Sequence, residues 1–203
     1  MQAASIPLLV ILAHFPFVLG KPEFRAANGM FANRNFYSTI EVSNGGPWGS
    51  WTWVDMCPEG SYAIGYSLKV EETFSANDET SLNGIRLFCT NRTSSAFTIE
   101  SNIGEFGYWA RISWCPTGFL SSFQLKVESP QGILDDTAVN NIRFRCSTGV
   151  VLENPGGPYG EYASWSDACP RGGICGLQTK QEPYRGLLWD DTALNDVRFF
   201  CCE

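Results

Sequence analysis

Apolar and polar residues alternate over long stretches of this chain, and the alternation predicts β-strands. The clearest stretch runs from position 62 to position 71. Its apolar residues occupy every second position, as Tyr62, Ile64, Tyr66, Leu68 and Val70. A period of two places successive side chains on opposite faces of a strand, so one face is buried and the other faces solvent. No segment sustains the period of a helix, and the chain is therefore predicted to be all-β.

The strand pattern belongs to a repeat that occurs three times. Each copy contains a Cys-Pro pair, a strand around a lysine, an acidic turn that ends in threonine, and a closing strand that ends in cysteine. The turn threonines are Thr80, Thr137 and Thr192, which lie 57 and 55 residues apart. Repetition at such a period indicates one supersecondary unit used several times. The repeats occupy about residues 37–92, 93–148 and 149–203.

One repeat of this size is too small to bury an apolar core alone, so the three repeats must share one. The simplest arrangement is three sheets around a pseudo-threefold axis, with their apolar faces inward. The alternation predicts which residues form the shared core. They are Ile64, Leu68, Val70, Ile85, Leu87, Phe123, Leu125, Val127, Ile142, Phe144, Val197 and Phe199.

The N-terminus has the features of a secretory signal peptide. Residues 6–19 are largely apolar, and the run ends at the small residue Gly20, which suits cleavage. The run is shorter than the roughly 20 apolar residues of a membrane-spanning helix, and no later segment is long and apolar enough to span a bilayer. We therefore expect residues 1–20 to be removed and the mature protein to be secreted. A leader segment, 21–36, then precedes a single domain at 37–203.

Eight cysteines in an exported chain indicate disulfides. Six of them hold matching positions in the repeats, with separations of 32, 31 and 32 residues. This correspondence predicts the pairs Cys57–Cys89, Cys115–Cys146 and Cys169–Cys201. The two cysteines that remain, Cys175 and Cys202, are expected to bond to each other. Because Cys201 and Cys202 are adjacent, an exchange of their partners stays open.

The composition excludes several classes of function. The formal net charge of -7 argues against nucleic acid as a partner, because phosphate binding requires a basic surface. The single histidine, His14, lies in the segment that is removed. The mature chain therefore lacks the base of Ser-His-Asp and Cys-His catalysis and the usual ligand of catalytic zinc. We expect no cofactor and no metal, and carboxylate chemistry is the enzymatic route that remains.

Seven polar positions recur in every repeat: two glutamates, a lysine, an aspartate, a threonine, an asparagine and an arginine. They are interpreted either as carboxylates with sugar-binding partners or as residues that close turns and form ion pairs on the outer faces. Three equal copies favour the structural interpretation, because a catalytic pair needs carboxylates in different environments. Aromatic residues beside the glycine-rich turns either stack on sugars or cap the core. The candidate glycan-binding residues are Asp55, Asp78, Asp135, Asp190, Trp51 and Trp109.

Two further features single out positions near the repeat boundaries. Asp55 and Asp167 each precede a cysteine by two residues, whereas Ser113 has that place in the middle repeat. A site for sugars is expected where the repetition breaks in this way, or among the acidic turns. Asn91 begins an Asn-Arg-Thr sequon in the linker between the first two repeats, and export makes it the expected glycosylation site.

Several stretches together resemble the vitelline membrane outer layer protein family. They are Gly45-Gly46-Pro47-Trp48-Gly49, Cys57-Pro58, Leu68-Lys69-Val70-Glu71, Asp136-Thr137-Ala138, Asp191-Thr192-Ala193-Leu194-Asn195 and Cys201-Cys202. The resemblance implies a β-prism of three Greek-key four-stranded sheets. It also implies a secreted structural component of an extracellular layer, with matrix or coat glycoproteins and glycans as partners. The alternatives are a lectin-like glycan-binding module, or a carboxylate-based glycosidase or transglycosylase acting on chito-oligosaccharides.

Overall fold

A computed structural model describes residues 24–71, 81–91, 96–128, 139–183 and 193–203. Every regular element in these ranges is a strand, and the period-two pattern predicts the long ones. None of the described residues forms a helix that is long and apolar enough to cross a membrane. The strands are β1 (Arg25–Ala26), β2 (Ser38–Ile40), β3 (Ser50–Trp51), β4 (Asp55–Met56), β5 (Tyr62–Val70), β6 (Leu82–Thr90), β7 (Ala96–Glu100), β8 (Tyr108–Trp109), β9 (Ser113–Trp114), β10 (Leu120–Val127), β11 (Val139–Cys146), β12 (Val151–Glu153), β13 (Glu161–Tyr162), β14 (Gly173–Gln181) and β15 (Leu194–Cys202).

The strands form three sheets. Sheet A has the order β1-β7-β6-β5-β8, with β9 also pairing with β5. Sheet B has the order β2-β15-β14-β3, with β4 also pairing with β14, and sheet C has the order β12-β11-β10-β13. Each sheet is built on one antiparallel hairpin of two long strands, and the apolar faces of all three share one core. The predicted β-prism is confirmed. Among the described residues only sheet C has the expected four strands, because β1 and β9 extend sheet A to six strands and β4 extends sheet B to five.

Every sheet combines strands from two successive repeats. Sheet A takes β5 and β6 from the first repeat and its short strands β7, β8 and β9 from the second. Sheet C is built in the same way from the second and third repeats. Sheet B joins β14 and β15 of the third repeat to β2, β3 and β4 of the first, which closes the ring. The boundaries of the sequence repeats therefore cut through each sheet.

The core centres on aromatic rings contributed by all three sheets. The rings of Tyr66 and Phe144 have centroids 4.6 Å apart, those of Phe123 and Phe199 are 4.7 Å apart, and those of Phe144 and Phe199 are 5.2 Å apart. Nine of the twelve predicted core residues are fully buried, and Val70 and Val127 pack against them. The aliphatic residues among the nine are Leu68, Ile85, Leu87, Leu125, Ile142 and Val197.

The prediction for Ile64 was wrong. The ladder between β5 and β6 shifts register between Ala63 and Gly65, so Ile64 is the extra residue of a β-bulge. Ala63 takes the inward place and is completely buried, while Ile64 is only half-buried. Beyond a bulge, the residues that point inward and those that point outward exchange places, and a strict period of two does not predict this exchange.

Four disulfides link the strands, and they are the pairs that the repeat spacing predicts. Three of them join different sheets. Cys57 follows β4 of sheet B and bonds to Cys89 of sheet A. Cys115 follows β9 of sheet A and bonds to Cys146 of sheet C. The third disulfide joins sheets C and B. Cys169 donates a backbone hydrogen bond to β10 of sheet C, and its sulfur bonds to Cys201 in β15 of sheet B.

The N-terminal segment from residue 24 to residue 36 packs against the prism. Its strand β1 extends sheet A by pairing in parallel with β7. Phe24 lies 5.1 Å from the ring of Phe88 and 5.5 Å from that of Trp114. Arg34 donates hydrogen bonds to the carbonyl oxygens of Pro58 and two nearby residues. The segment therefore covers apolar surface and satisfies backbone carbonyls beside a disulfide.

Candidate functional site

One end of the prism carries three glycine-rich turns, at 45–49, 103–107 and 156–160, which dock onto the starts of the closing strands. The docking points are the recurrent asparagines, each of which is a fully buried bulge residue. Their backbone carbonyls accept hydrogen bonds from glycine N–H groups, with distances of 2.6 to 2.7 Å. The pairs, acceptor first, are Asn83 with Gly104, Asn140 with Gly157, and Asn195 with Gly46. The backbone at the recurrent asparagines thus joins neighbouring repeats.

The recurrent lysines hold the same three turns. Lys69 donates to the carbonyl oxygens of Gly104 and Glu105, at 2.7 and 2.9 Å. Lys126 and Lys180 donate to the equivalent turns of the next repeats, at 2.7 and 2.8 Å for the shorter contacts. Because a charged donor strengthens a hydrogen bond, each lysine fixes a turn rather than a ligand.

The recurrent arginines stack on aromatic rings on the outer faces of the sheets. The guanidinium of Arg86 lies 4.0 Å from the ring centre of Trp109, and that of Arg198 lies 4.5 Å from the ring centre of Trp51. Arg86 also pairs with Glu100 of β7, and Arg198 pairs with Glu41, which directly follows β2. One face of each tryptophan therefore packs against a cation within the protein. The glycan-binding role of Trp51 and Trp109 stays a prediction.

Asp55 lies in the interior, with only 1% of its surface exposed. Its carboxylate accepts hydrogen bonds from the backbone N–H groups of Gly29, Met56 and Glu100, at 2.9 to 3.1 Å. Burial raises the pKa of Asp55, and the three N–H groups oppose that shift. The carboxylate therefore anchors the N-terminal segment and β7 to β4, and a sugar would not reach it without local opening.

The other candidates from the sequence lie elsewhere. Asp78, Asp135 and Asp190 fall outside the described residues. Asp167 is exposed, although its spacing to the cysteine matches that of Asp55. In the structure the place of Asp55 is taken by Ser166, which lies beside Phe123 of β10. The Ser166 hydroxyl accepts a hydrogen bond from the backbone N–H of Phe123. Asn91 is exposed at the end of β6, while the rest of its sequon lies outside the described ranges.

A polar cleft of about 220 Å³ opens between sheets A and B at the end that carries the glycine turns. Its lining residues are Asn83, Asn102, Ile103, Gly104, Glu105, Phe106, Gln181, Glu182, Pro183 and Ala193. The cleft combines side-chain amides, carboxylates and one aromatic ring. Such a set can exchange hydrogen bonds with hydroxyl groups and pack against an apolar face. No group of three or more His, Cys, Asp or Glu residues in the described parts of the chain could hold a metal ion.

Gln181 is the residue at which this cleft breaks the threefold repetition. The ladders align it with Val70 in sheet A and Val127 in sheet C. Gln181 is 3% exposed, and its amide donates to the carbonyl oxygens of Asn83 and Asn102, at 3.4 and 3.1 Å. A site is expected where the repetition breaks, but Gln181 was not among the predicted residues. The replacement of valine by glutamine in the third repeat was the signal that could have found it.

Solved structures with the same architecture include lectins. Artocarpin in complex with mannopentose matches with a TM-score of 0.50 and 16% identity, over 82% of this chain and 98% of that chain. Frutapin, a lectin from Artocarpus incisa, matches with a TM-score of 0.51 and 14% identity, over 84% of this chain and 99% of that chain. At these identities the likeness concerns the fold alone, and it defines the class of this chain as a β-prism protein.

Sequence comparison identifies the family within that class. The family model of vitelline membrane outer layer protein I matches residues 38–203, and the chain belongs to this family. The human vitelline membrane outer layer protein 1 homolog is 47% identical over an alignment of 205 positions, which covers 99% of this chain and 96% of that protein. The mouse homolog is 52% identical over 171 residues, covering 82% of this chain and 84% of that protein.

Proposed function

We propose that this protein is a secreted structural component of an extracellular layer, and its relatives are named for the outer layer of the vitelline membrane. The observation that carries the proposal is the family match over residues 38–203. The signal peptide at 1–20 and the single domain at 37–203 expected from the sequence belong to the same proposal. Four disulfides among the described residues suit an oxidising extracellular environment.

The geometry supports a structural role. The recurrent lysines, arginines and asparagines whose contacts are described are engaged in holding turns, strands and neighbouring repeats together. A polar group committed to such a contact is part of the scaffold, and the scaffold is further cross-linked between sheets. A rigid, cross-linked unit of this kind withstands the conditions outside a cell.

The test is retention in an extracellular layer. The full chain, with its signal peptide, is expressed in cells that deposit such a layer, and the medium, the layer and the cells are assayed separately. We expect the mature protein in the layer fraction, released by denaturant. A protein found only in the medium would contradict the structural role, and one retained in the cells would contradict secretion.

A second candidate function is glycan binding, and the cleft beside Gln181 favours it. The cleft offers amide and carboxylate groups together with the ring of Phe106, at the place where the threefold repetition breaks. Its volume of about 220 Å³ is below the ~300–1,000 Å³ of pockets for drug-sized ligands, so it suits a single sugar unit of a longer chain. Matrix or coat glycoproteins would be the source of such a unit.

A glycan array, including chito-oligosaccharides, tests this candidate with variants of the mature protein. Gln181→Val restores the residue of the other repeats, and Phe106→Ala removes the ring from the cleft. Tyr159→Ala, at the matching position of another turn, is the control. We expect both cleft variants to lose binding while the control keeps it. Equal binding by all three would place the sugar elsewhere, and turnover of the chito-oligosaccharides would favour the glycosidase or transglycosylase alternative.

A further inference from the structure

The outer edge of sheet A shows how this fold accepts an additional strand. β1 pairs in parallel with β7, with Arg25 opposite Phe97 and Ala26 opposite Thr98. The backbone N–H of Ala27 donates a hydrogen bond of 2.8 Å to the carbonyl oxygen of Thr98. The outward carbonyl of Thr98 is therefore satisfied by the N-terminal segment, and the edge strand of this sheet is covered.

The same edge in sheet C is formed by β12. Thr98 of sheet A and Val151 of sheet C hold equivalent positions. Thr98 pairs with Phe88, and Val151 pairs with Arg145, which is the equivalent of Phe88. The next position back along the chain aligns Phe97 with Val150. Within the described residues β12 has a strand on one side only, because the order of sheet C begins with it. Sheet C therefore has an edge like the one that β1 covers in sheet A.

The backbone of Val151 points away from the sheet. The N–H of Cys146 on β11 donates to the carbonyl oxygen of Val150, at 2.8 Å. In an antiparallel pair successive residues alternate between facing the partner strand and facing away. The N–H and C=O groups of Val151 and Glu153 therefore face the outer edge, as a further strand requires. The edge ends at Glu153, because the next residue, Asn154, is buried and contacts Arg111 and Ser113 of the neighbouring sheet.

Two apolar side chains at the start of this edge are exposed. Val150 is 42% exposed and Val151 is 46% exposed. The matching residues of sheet B, Ser38 and Thr39, are polar. Pairing with another strand would remove the apolar surface of the exposed valines from water, and Ser38 and Thr39 offer less such surface. Of these two edges, the edge of sheet C is the one suited to association.

We propose that the β12 edges of two copies of this chain pair in antiparallel fashion and join their C sheets into one continuous sheet. Centred on Leu152, the pairing sets Val151 of each copy opposite Glu153 of the other. It thereby uses both outward-facing residues of this three-residue strand. The contact is isologous, since the same patch is used on both copies, so it closes as a dimer.

The charges along this edge complement each other in that arrangement. Arg145, the cross-strand neighbour of Val151, stacks on the ring of Trp165 at 4.1 Å and forms no ion pair within the described ranges. Glu153 has a side chain that is 46% exposed, and its contact with Arg143 is loose, at 3.6 Å. The two-fold pairing brings Glu153 of the second copy to the same face as Arg145, about 10 Å or two strand spacings away. Opposite charges therefore lie on the same face across the edge, once for each copy.

The association is expected to be weak, because a three-residue edge buries far less than the ~1,200 Å² of a stable interface. Sedimentation velocity of the mature protein, from about 10 micromolar to about 1 millimolar, covers the affinities expected of such a contact. We expect a monomer at the low end and a dimer at the high end. A protein that stays monomeric throughout overturns the proposal, even if the edge later proves to bind an extended peptide of another protein.

Val151→Pro removes one outward N–H and is compatible with an edge strand. It should raise the dissociation constant at least about tenfold, as expected for the loss of two backbone hydrogen bonds related by the two-fold axis. Thr39→Pro, at the matching position of sheet B, is the control and should leave dimerisation unchanged. A dimer that persists unchanged in Val151→Pro overturns the assignment.

A charge exchange keeps the assignment testable if the proline variant does not fold. Arg145→Glu should weaken the dimer, and Arg145→Glu combined with Glu153→Arg should restore it, because the cross-edge pair is then reversed. Absence of restoration in a folded double variant contradicts the arrangement. The proposed dimer depends on the proposed layer function only for its biological role. Because the experiment uses purified protein without a layer, a monomeric result overturns the edge pairing and leaves the layer function to its own test.

Discussion

Asp196 is the residue whose chemistry differs most from its counterparts in the other repeats. The ladders align it with Gly84 and Asn141. Asp196 and Asn141 both accept a hydrogen bond of 2.8 Å from the next backbone N–H. The amide of Asn141 also donates to the carbonyl oxygen of Asn154, at 2.9 Å, and an ionised carboxylate has no proton with which to do the same.

Burial raises the pKa of Asp196 to about 6, and the nearby Glu41 acts in the same direction. The Val197 N–H, Lys180 and Arg198 oppose the shift. A carboxyl whose pKa is higher in the folded state stabilises the fold below its unfolded value of 3.8. This stabilisation is lost as the pH rises through about 6, so Asp196 makes the protein less stable at neutral pH than in mild acid.

Asp196→Asn should therefore stabilise the protein at neutral pH, by about 1 kcal/mol after allowance for solvent screening. The variant should also weaken the dependence of stability on pH between pH 3.8 and about pH 6, because the titrating carboxyl group is gone. Denaturant unfolding at several pH values measures both effects. The exposed Asp167→Asn is the control. A variant that is less stable at neutral pH would show that the negative charge is needed there.

The glycine turns are the element on which the assembly of the repeats depends. Gly160 has a φ of 73°, and a β-carbon at this position would overlap the carbonyl of Val127. Gly149 has a φ of 89° and open space around it. The two glycines share the left-handed backbone but differ in what surrounds them, so substitution at each separates backbone strain from close packing.

Gly149→Ala should cost about 1–2 kcal/mol of stability, from the left-handed backbone alone. Gly160→Ala should cost distinctly more, because the turn must also move away from β10. Urea unfolding of both variants gives the comparison. Equal losses would mean that the turn is not docked as closely as its hydrogen bonds indicate.

Strand register is the second property of the elements that can be tested directly. Leu125 is fully buried, so Leu125→Ala should cost ~2–5 kcal/mol. Ile64 is a half-buried bulge residue, and Ile64→Ala should cost clearly less. Thermal and denaturant unfolding of the two variants decide the register. A larger loss of stability for Ile64→Ala would instead support a strand without a bulge, as the uninterrupted alternation in the sequence predicts.

The prism as a whole could be predicted from the sequence to the extent that its features recur in each repeat. The spacing of Cys57 and Cys89 recurs and predicts a disulfide, and the alternation around Leu125 recurs and predicts a core strand. The partners of β3, β8 and β13 could not be predicted, because two-residue strands carry no periodic signal and pair with a different repeat. The cleft was missed because it depends on Gln181, a single substitution within an otherwise regular strand.

At the scale of the molecule, the disulfides turn three sheets into one covalent ring. Each of the three inter-sheet disulfides closes a segment of 31 or 32 residues, and each joins a different pair of sheets. In the chain-entropy model a loop of this length contributes ~3–4 kcal/mol. The central claim is that the folded chain is a rigid prism cross-linked between every pair of sheets.

Mass spectrometry of the secreted, unreduced protein after proteolysis tests this claim most directly. We expect a mature N-terminus near Lys21 and four linked pairs, Cys57–Cys89, Cys115–Cys146, Cys169–Cys201 and Cys175–Cys202. Linkage of Cys169 to Cys202 in place of Cys201, a bond such as Cys89 to Cys115, or free thiols in the folded protein would contradict the account.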